Sequence, residues 1–367
     1  MTTVLFAPDS FKGSLTSVEV ARSLAEGWRR VRPDDELLLA PLADGGEGTL
    51  AAIAAAGGWN QMTSPTVDPI GRPIDGPWLR SLDGTRGVVE LASASGLSRL
   101  GPDERDPLGA TTVGTGLLLR AVLDAGPRRI VLGIGGSATT DGGSGILDAL
   151  GGWVEPQRID LAGLDTRLAS LDLLVACDVT NPLLGPTGAA ATYGPQKGAS
   201  PSDVATLDQR LARYADLLEA ASGRRERDTP GAGAAGGVGF VLLCLTERFR
   251  TLSLESGVDL VAGEIDLDAK LARADLVITG EGRIDAQTAF GKTALGVARR
   301  AQAAGVRCIA VGGGVEPAGI AALAPLGVEV IPVHERELPL AEAMAAGAAP
   351  LMTCGERLAR GATWLGA

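Results

Sequence analysis

The feature that most constrains the fold is an alternation of short apolar runs and amphipathic helices, which begins at the N-terminus. Val4–Ala7 is an apolar run that Pro8 ends, and a charged loop, Asp9–Gly13, follows directly. A helix is predicted over residues 16–31, because it opens with the spacing of a capping box and repeats apolar residues at helical intervals. In an open α/β sheet such a loop lies on the ligand side, so we predict a binding loop, with a turn of solvated charges as the alternative.

The same pattern recurs after this unit and again near the C-terminus. A second strand is predicted over residues 36–42, and three more over residues 275–279, 306–312 and 328–333. Five such strands in the flavodoxin-like order 2-1-3-4-5 form a parallel sheet in which the third strand lies beside the first.

The switch point of this sheet lies between two charged loops from opposite ends of the chain. One loop is Asp9–Lys12, and the other follows the third strand at Gly280–Asp285. Ligands bind at such switch points, outside the carboxyl ends of the strands. The predicted order therefore brings together four charged side chains, which are Asp9, Lys12, Glu281 and Asp285.

The strand–helix alternation stops at about residue 65 and returns from about residue 265. Between these points a strand pair is predicted at residues 78–82 and 87–91, with loops around it. A chain of 367 residues is long for one small core and suggests two domains. We predict a discontinuous α/β domain made of residues 1–64 and 265–367, with a second α/β domain, residues 65–264, inserted into it.

Composition excludes several classes of function. The net charge of −11 argues against nucleic acid or an anionic membrane as the main partner, because both bind basic patches. The four cysteines lie far apart without metal-site spacing, and no leader-like or membrane-spanning apolar run is present, so we expect a reduced, cytoplasmic protein. A single histidine, His334, disfavours Ser-His-Asp catalysis and leaves proton transfer to Asp or Glu.

A second candidate loop, Ala43–Thr49, follows the second predicted strand. Three glycines surround its two acids, Asp44 and Glu47. This setting favours a loop that wraps a metal or a substrate. The alternative is that the acids cap the helix that follows, where the exposed N–H groups and the helix dipole favour carboxylates.

The strand predicted over residues 129–134 ends in the strongest phosphate-type loop of the chain, Gly135–Gly145. Its small residues allow close backbone approach and its N–H groups can hold an anion, while Asp141 is placed to hold Mg²⁺. The loop matches neither of the common glycine-rich nucleotide motifs, and a purely structural loop is the alternative. The candidate phosphate-binding residues are Gly135, Gly136, Ser137, Thr139, Thr140, Gly142 and Gly143.

Four further stretches carry open alternatives. Asp178 and Asn181 follow a predicted strand and are placed for a metal–phosphate or a substrate hydroxyl. Lys197 lies among Gly and Pro residues and is either an anion ligand or a solvated lysine. Gly231–Gly239 is either a flexible hinge or a phosphate-contacting turn, and residues 241–245 are either a strand or a buried helix.

Two weaker patterns complete the candidates. Thr111–Gly116 places hydroxyls and glycines at a helix start, which suits an anion or simple capping. Ala286–Thr293 matches a relaxed P-loop pattern without its first glycine, which we interpret as accidental, although Lys292 stays a candidate anion ligand.

Five loop motifs together resemble those of the bacterial glycerate kinase family, of the class that includes glycerate 2-kinase. They are Asp9–Thr16, Pro41–Thr49, Gly135–Gly145, Cys177–Leu183 and Thr279–Asp285. The resemblance implies an ATP- and Mg²⁺-dependent kinase that phosphorylates D-glycerate. It also implies a flavodoxin-like domain built from both chain ends, an inserted α/β domain of restriction-enzyme-like type, and an active site in the cleft between them.

Phosphoryl transfer requires positioning, charge neutralisation and a group that takes the hydroxyl proton, and these needs assign roles within the resemblance. Asp178 is the first candidate for the base and Asp44 the second, with Lys12 as a catalytic cation. The candidate substrate-binding residues are Ser10, Asp9, Lys12, Glu47, Arg283 and Glu281.

Within the resemblance, we also assign the ATP phosphates to the glycine-rich loop and Mg²⁺ to the acids. We expect the ATP phosphates on Gly135–Gly143 with Lys197, and Mg²⁺ near Asp141 and Asp178, with Asp44 as an alternative ligand. The family favours the 2-hydroxyl of glycerate as the acceptor, with the 3-hydroxyl as the alternative.

Other classes of function stay open at this point. A sensor that binds a nucleotide or a sugar acid without catalysis is one, and an NAD-dependent dehydrogenase is another, although the strand ends lack the fingerprint that the latter needs. The sequence leaves the oligomeric state open between a monomer and a homodimer.

Overall fold

The computed structural model of the chain describes residues 2–290, 293–336 and 338–362, without the side chains of residues 289 and 290. Lys292, the anion candidate of the relaxed P-loop pattern, therefore lies outside the described residues. No helix in the described part of the chain is both long and apolar enough to cross a membrane.

Strands and helices alternate along much of the described chain. The strands are β1 (Thr3–Pro8), β2 (Glu36–Leu39), β3 (Trp59–Val67), β4 (Pro73–Ser81), β5 (Arg86–Glu90), β6 (Arg129–Gly133), β7 (Trp153–Glu155), β8 (Arg158–Asp160), β9 (Asp172–Ala176), β10 (Thr251–Glu255), β11 (Leu276–Ile284), β12 (Arg307–Val315) and β13 (Glu329–Pro332). The α-helices are α1 (Ser17–Val31), α2 (Thr49–Ala55), α3 (Ala92–Ser95), α4 (Val113–Asp124), α5 (Ser144–Ala149), α6 (Ala189–Tyr193), α7 (Pro201–Ser222), α8 (Val238–Cys244), α9 (Gly257–Glu264), α10 (Leu267–Leu271), α11 (Thr293–Ala304), α12 (Pro317–Leu323), α13 (Leu340–Ala345) and α14 (Ala349–Gly361).

The chain forms two compact units. The first comprises Met1–Asp44, Ala51–Gly57 and Val261–Ala367, and the second comprises Gly45–Leu50 and Gly58–Leu260. Both chain ends therefore contribute to the first unit, which is an α/β structure, and the second unit has a sheet of its own.

The first unit contains a parallel sheet in the order β2-β1-β11-β12-β13. Counted within the unit, this is the order 2-1-3-4-5, so the predicted position of the third strand beside the first is confirmed. Its pairing joins residues 272 positions apart, such as Val4 and Leu276. The loops after β1 and β11 consequently meet at one edge of the sheet.

The strand β11 is longer than the sequence indicated. The loop expected at Gly280–Asp285 is mostly strand, because pairing with β12 continues to Arg283 opposite Gly314 and Ile284 opposite Val315. The expectation of a loop directly after residue 279 was wrong. Sequence pattern marked this segment as irregular because it is glycine-rich and charged, whereas pairing with a neighbouring glycine-rich strand keeps it extended.

The helix α1 is fixed at its start by the predicted capping box and along its length by a helix neighbour. Thr16 and Glu19 exchange hydrogen bonds, with the Thr16 amide 2.8 Å from Glu19 Oε2 and the Glu19 amide 3.2 Å from Thr16 Oγ1. Gly27 allows close approach to α14, because a Cβ there would lie 1.9 Å from the Met352 carbonyl oxygen. The first unit thus buries α1 between its sheet and α14.

The second unit contains a mixed sheet in the order β10-β9-β6-β5-β4-β3. The first four strands of this order are parallel, and β4 and β3 are antiparallel additions at one side. The predicted strand pair near residues 78–82 and 87–91 corresponds to β4 and β5. Since β3 pairs with β4 from Trp59 to Val67, residues 59–64 lie in this second sheet rather than with the N-terminal strands.

The open alternative at residues 241–245 resolves as a helix. Most of α8 is buried in the core of the second unit, including Phe240, Val241 and Leu242. A short run that is apolar on all sides reads equally as a central strand or a buried helix, and here tertiary packing selects the helix.

Candidate active site

The ligand edge of the first unit carries a lysine among three acids. The carboxyl ends of β1, β2 and β11 bring Asp9, Lys12, Asp44 and Glu281 to this edge, and Asp9 lies directly beside β11 because its amide donates to the Gly280 carbonyl at 2.8 Å. The charge of Asp44 raises the pKa of Lys12, with smaller contributions in the same direction from Asp9 and Glu281. The sequence predicted the meeting of four side chains, Asp9, Lys12, Glu281 and Asp285. The structure brings the first three together and adds Asp44, whereas Asp285 contacts Arg283 and Thr288.

Asp9 is held by its neighbours in the first unit. Its Oδ1 accepts the Ser10 amide at 2.6 Å, and its Oδ2 accepts the Thr293 hydroxyl at 2.6 Å. Burial raises the pKa of Asp9 despite the hydrogen bond from Thr293, and the like charge of Asp44 raises it further. Asp9 is therefore a fixed and partly desolvated carboxyl at the switch point.

The Glu281 carboxylate accepts a hydrogen bond from the N-terminal turn of α11. It is 5% exposed, and its Oε1 accepts the amide of Ala294 in the first turn of α11 at 2.9 Å. A carboxylate at this position stabilises the helix through an otherwise unpaired N–H and through the helix dipole. This contact favours a structural role for Glu281 over the predicted role in substrate binding.

The two cations predicted for the substrate carboxylate differ in their partners. Lys12 is exposed and forms one ion pair within the described part of the chain, 3.2 Å from Asp44 Oδ2. Arg283 donates twice to Glu316 Oε1, at 3.0 and 2.6 Å, and lies 4.0 Å from Asp285. Because Lys12 is exposed and singly paired, it is the more available of the two for an anionic ligand.

In the second unit, the segment 45–50 lies across the ends of the parallel strands. Gly45 accepts the Gly135 amide at 3.1 Å. A Cβ on Gly133 would lie 2.5 Å from the Gly45 oxygen, and one on Gly135 would lie 2.6 Å from Gly46 Cα. Gly133 and Gly135 are therefore required for backbone-to-backbone packing with this segment, which also carries Glu47 at the surface.

The phosphate-type loop presents donors that the described protein leaves unused. Thr139 and Thr140 are buried, and neither hydroxyl has a hydrogen-bond partner among the described residues. In the same described part of the chain, the amides of Gly136, Ser137, Thr139 and Thr140 have no acceptor. Buried polar groups are normally paired, so the donors of the buried residues Ser137, Thr139 and Thr140 point to a ligand rich in acceptor oxygens.

Lys197 lies beneath this loop and is not a solvated lysine. It is 2% exposed, and its Nζ donates to Ser137 Oγ at 2.9 Å and to the Thr139 carbonyl at 2.5 Å. Burial lowers the pKa of Lys197 to about 7, against the opposing charge of Asp141. A buried amine with two neutral acceptors is well matched to a ligand that brings negative charge.

The later glycines of the loop have packing roles. Gly142 and Gly143 adopt φ values of +71° and +75°, and added Cβ atoms would lie 2.7 Å from the Tyr214 ring and 2.4 Å from Val241. Gly236, from the segment expected to be a hinge or a phosphate turn, packs as closely on the Thr139 carbonyl. These contacts favour a structural role for Gly142 and Gly143 over the predicted phosphate contact.

Asp141 connects two helix starts. Its Oδ2 accepts the Thr112 amide at 2.8 Å, the Thr112 hydroxyl at 2.7 Å and the Gly145 amide at 3.3 Å, and its Oδ1 accepts the Gly143 amide at 3.0 Å. Both oxygens are thus engaged in joining α4 to α5. This arrangement fits Mg²⁺ poorly and favours a structural role over the predicted role as a metal ligand.

Asp178 is a better candidate for a metal ligand than Asp141. It is exposed at the end of β9, where its Oδ1 accepts the Gly257 amide at 3.0 Å. Its predicted partner Asn181 instead contacts Thr187 at 2.8 Å and Tyr193 at 2.6 Å. The described residues contain no group of three or more acidic, His or Cys ligands, and Mg²⁺ in kinases takes one or two carboxylates plus phosphate oxygens.

Sequence reasoning missed two buried polar side chains, those of Glu90 and Tyr214. Glu90, at the end of β5, is 5% exposed, and burial raises its pKa to about 7. An acid that ends a strand was the available signal, but its burial was not visible in the sequence. Tyr214 packs on Gly142, and its buried hydroxyl has no partner among the described residues.

The candidate residues therefore form two groups, one in each unit. The first unit holds Ser10, Asp9, Lys12, Asp44, Glu281 and Arg283. The second unit holds Glu47, Gly135, Gly136, Ser137, Thr139, Thr140, Asp141, Gly142, Gly143, Asp178 and Lys197. One group centres on an exposed ammonium, and the other on unused donors above a buried amine.

Comparisons with known proteins bear on what these groups do. The model of the glycerate kinase family matches residues 4–363. A glycerate kinase of Bacillus subtilis (strain 168) is 43% identical over 85% of both chains, and one of Halalkalibacterium halodurans is 40% identical over 99% of both. A glycerate 2-kinase of Escherichia coli (strain K12) is 41% identical over 82% of both chains.

The fold is also similar to a solved structure. A crystal structure of a protein described as glycerate kinase 2 from Salmonella typhimurium LT2 superposes with a TM-score of 0.83, at 38% identity, over 99% of this chain and 98% of that one. The match extends through both units and all five loop motifs. The chain belongs to the glycerate kinase family.

Proposed function

We propose that this chain transfers the terminal phosphoryl group of ATP to the 2-hydroxyl of D-glycerate and releases 2-phosphoglycerate. Membership of the family supports the kinase reaction, and the relative named glycerate 2-kinase supports the 2-hydroxyl. The observation that carries the proposal is the set of unused donors at residues 136–140 above the buried Lys197. Phosphorylation of the 3-hydroxyl is the alternative.

The nucleotide phosphates bind at residues 136–140 in this proposal. The amides of Gly136, Ser137, Thr139 and Thr140 and the hydroxyls of Thr139 and Thr140 supply donors, and Lys197 supplies positive charge from beneath. Oriented N–H groups of this kind form concavities that bind phosphate. The anion would satisfy donors that the described residues leave unpaired, so binding restores the pairing that buried polar groups normally have.

Glycerate binds through its carboxylate to Lys12, with Ser10 beside it. Lys12 is exposed and forms one ion pair, so it can accept a second carboxylate without losing a buried contact. Arg283 is a weaker candidate because Glu316 already holds its guanidinium by two hydrogen bonds. We therefore assign the carboxylate to Lys12 first.

Asp44 is our first choice for the general base. Its Oδ2 lies 3.2 Å from the Lys12 ammonium, so a hydroxyl of a glycerate held by Lys12 is within its reach. This reverses the order that we predicted from the sequence, in which Asp178 came first. The base takes the hydroxyl proton as the oxygen attacks the terminal phosphorus, and the bond to the leaving oxygen breaks.

Mg²⁺ is part of the proposal, with Asp178 as the protein carboxylate that fits it. When bound, the ion neutralises phosphate charge. Asp141 is not assigned to the metal, because both of its oxygens join α4 to α5.

The fold types of the two domains and the cellular compartment are also part of the proposal. We assign the first domain, expected at residues 1–64 and 265–367, to the flavodoxin-like type and the inserted domain to the restriction-enzyme-like type. The strand order 2-1-3-4-5 supports the first assignment. The four cysteines are free thiols, which supports a reducing, cytoplasmic setting.

The test is ³¹P NMR of a reaction containing ATP, Mg²⁺ and D-glycerate. The expected product is 2-phosphoglycerate, formed only when all three are present. A 3-phosphoglycerate signal would keep the kinase and refute the regiochemistry. ATP that binds but is not consumed would refute the kinase and favour a non-catalytic binding protein.

A further inference from the structure

Glu90 is a buried carboxylate at the ligand edge of the second unit, outside the residues that carry the proposed reaction. It ends β5 and lies opposite Gly133 at the end of β6. Only 5% of its surface is exposed, and no cation in the described part of the chain pairs with it. Acidic side chains are almost never buried to this extent unless they are paired, so its partners need an explanation.

Those partners are the backbone amides of one short segment. Leu50 donates to Glu90 Oε2 at 3.0 Å, and the amides of Gly48 and Thr49 face the same carboxyl group and lower its pKa. Because Leu50 lies in the first turn of α2, its amide has no acceptor within the helix, and the contact with the Glu90 carboxylate fixes the position of this segment.

The segment that Glu90 holds, residues 45–50, supports the proposed phosphate loop. Gly45 accepts the Gly135 amide at 3.1 Å, and Gly46 lies so close that a Cβ on Gly135 would be 2.6 Å away. Glu47 is part of the same segment, and its amide lies near Gly136. A shift of residues 45–50 would therefore move Glu47 and remove the support of Gly135.

We propose that Glu90 is a positioning residue of the kinase, which as a carboxylate holds residues 45–50 so that Glu47 and the start of the phosphate loop keep their working positions. The proposal rests on the proposed function, because it assigns these positions to the kinase reaction. A protonated carboxyl group is a weaker acceptor for the three amides, so the working conformation requires the ionised form.

The ionisation of Glu90 falls in a range that enzyme assays reach. Burial raises its pKa, the amides of residues 48–50 lower it and the charge of Glu47 raises it, and together these effects place it at about 7. Glu47 is the charged side chain that acts on it, since β6 presents Gly133 and the following α3 contains only Ala and Ser. Activity should therefore decline as the pH falls below about 7.

The test compares the pH dependence of kcat/KM for D-glycerate, at saturating ATP and Mg²⁺, in the natural chain and in Glu90→Gln. The natural chain is expected to show an acidic limb near pH 7. Glu90→Gln is expected to be at least about tenfold less active at pH 8 and to lack that limb, whereas Glu90→Asp keeps it. A Glu90→Gln profile that retains the limb would overturn the proposal.

Glu47→Gln provides a matched second variant. Removal of the neighbouring charge lowers the pKa of Glu90. The acidic limb in the pH profile of this variant's remaining activity is therefore expected to move to lower pH. A limb that stays in place would overturn the assignment to Glu90. A purely structural role would lower all rates and leave the limb unchanged.

Hydrogen–deuterium exchange of the natural chain covers the case in which Glu90→Gln does not fold. After correction for intrinsic rates, residues 48–50 are expected to be less protected at pH 6 than at pH 8, and equal protection would overturn the proposal. Absence of glycerate-dependent ATP consumption in the natural chain would instead refute the proposed function, and the exchange result would still decide whether Glu90 holds the segment.

Discussion

Replacement of Lys197 by Met tests the central feature of the proposed phosphate site, which is a buried amine without a protein carboxylate in hydrogen-bond contact. We expect Lys197→Met to make the ligand-free chain more stable at pH 7 and to weaken nucleotide binding. The two effects have the same origin, since a charge that is costly to bury without ligand is the charge that the phosphates need.

The magnitude follows from the pKa of Lys197, which burial lowers from 10.5 to about 7. The unfolded chain takes up a proton below pH 10.5, but the folded chain does so only near pH 7, so stability is lost as the pH falls between these values. At 1.36 kcal/mol for each pH unit, the loss is about 4 kcal/mol at pH 7 and about 1 kcal/mol at pH 9.5. Met removes this pH-dependent loss.

Two hydrogen bonds oppose this gain. Without Lys197, Ser137 Oγ and the Thr139 carbonyl lose their donor, which costs about 1–3 kcal/mol at any pH. We therefore expect a net gain of about 1–3 kcal/mol at pH 7 and a gain near zero or a small loss at pH 9.5. The difference between the two pH values, about 3 kcal/mol, is the more robust quantity because the hydrogen-bond cost cancels in it.

The assay is urea unfolding at pH 7 and 9.5, followed by far-UV circular dichroism and tryptophan fluorescence, whose coincidence permits a single free energy of unfolding. Lys270→Met is the matched control, because Lys270 is half-buried, donates to the Ile265 carbonyl at 2.6 Å and has a pKa lowered by burial. It should leave ATP binding unchanged. Lys197→Met should weaken ATP binding about 30-fold, the equivalent of one charge-assisted hydrogen bond.

Two results would refute this reasoning. A stability difference between Lys197→Met and the natural chain that is equal at pH 7 and 9.5 would mean that the buried amine does not titrate between them. Unchanged ATP affinity in Lys197→Met would mean that the phosphates bind elsewhere.

Three further predictions concern the acids and cations of the two groups. Asp141→Asn should lower the free energy of unfolding by about 1–3 kcal/mol in urea titrations while the Mg²⁺ concentration for half-maximal activity stays unchanged, and a raised Mg²⁺ requirement would restore Asp141 as a metal ligand. Asp178→Asn should raise the Mg²⁺ concentration for half-maximal activity at least about tenfold, roughly 1.4 kcal/mol. Asp44→Asn should instead lower kcat with little change in the Mg²⁺ requirement. If the two variants showed each other's phenotype, our assignment of the base and the metal ligand would be reversed. Lys12→Met should raise KM for glycerate about 30-fold and Arg283→Met by less than about threefold, measured in steady-state assays, and equal effects would show that both cations hold the substrate carboxylate.

The sequence sufficed to predict which loops carry polar chemistry and how the first sheet is ordered. The strand order 2-1-3-4-5 was confirmed, and three of the four side chains predicted to meet, Asp9, Lys12 and Glu281 but not Asp285, lie together from opposite ends of the chain. This was possible because parallel strands with intervening helices place all their carboxyl ends at one edge, so strand order alone decides which loops are neighbours.

The contacts of each side chain within those loops depend on tertiary structure. Lys197 was an even choice between a solvated residue and an anion ligand, until its burial against Ser137, 60 positions away, became visible. Asp141 was predicted to be a metal ligand, but Thr112 and the α5 amides occupy its oxygens. Glu90 gave no local sign that it would be enclosed by the amides of residues 48–50.

The physical reason for this division lies in the range of the interactions. Apolar periodicity, capping boxes and turn glycines depend on residues a few positions apart, so the sequence alone determined the α/β alternation and the polar loops. Desolvation, hydrogen-bond pairing and pKa depend on neighbours that only the folded chain brings together. Whether a carboxylate binds a metal, caps a helix or holds a loop therefore depends on residues 29 to 284 positions away, which only the tertiary structure brings together.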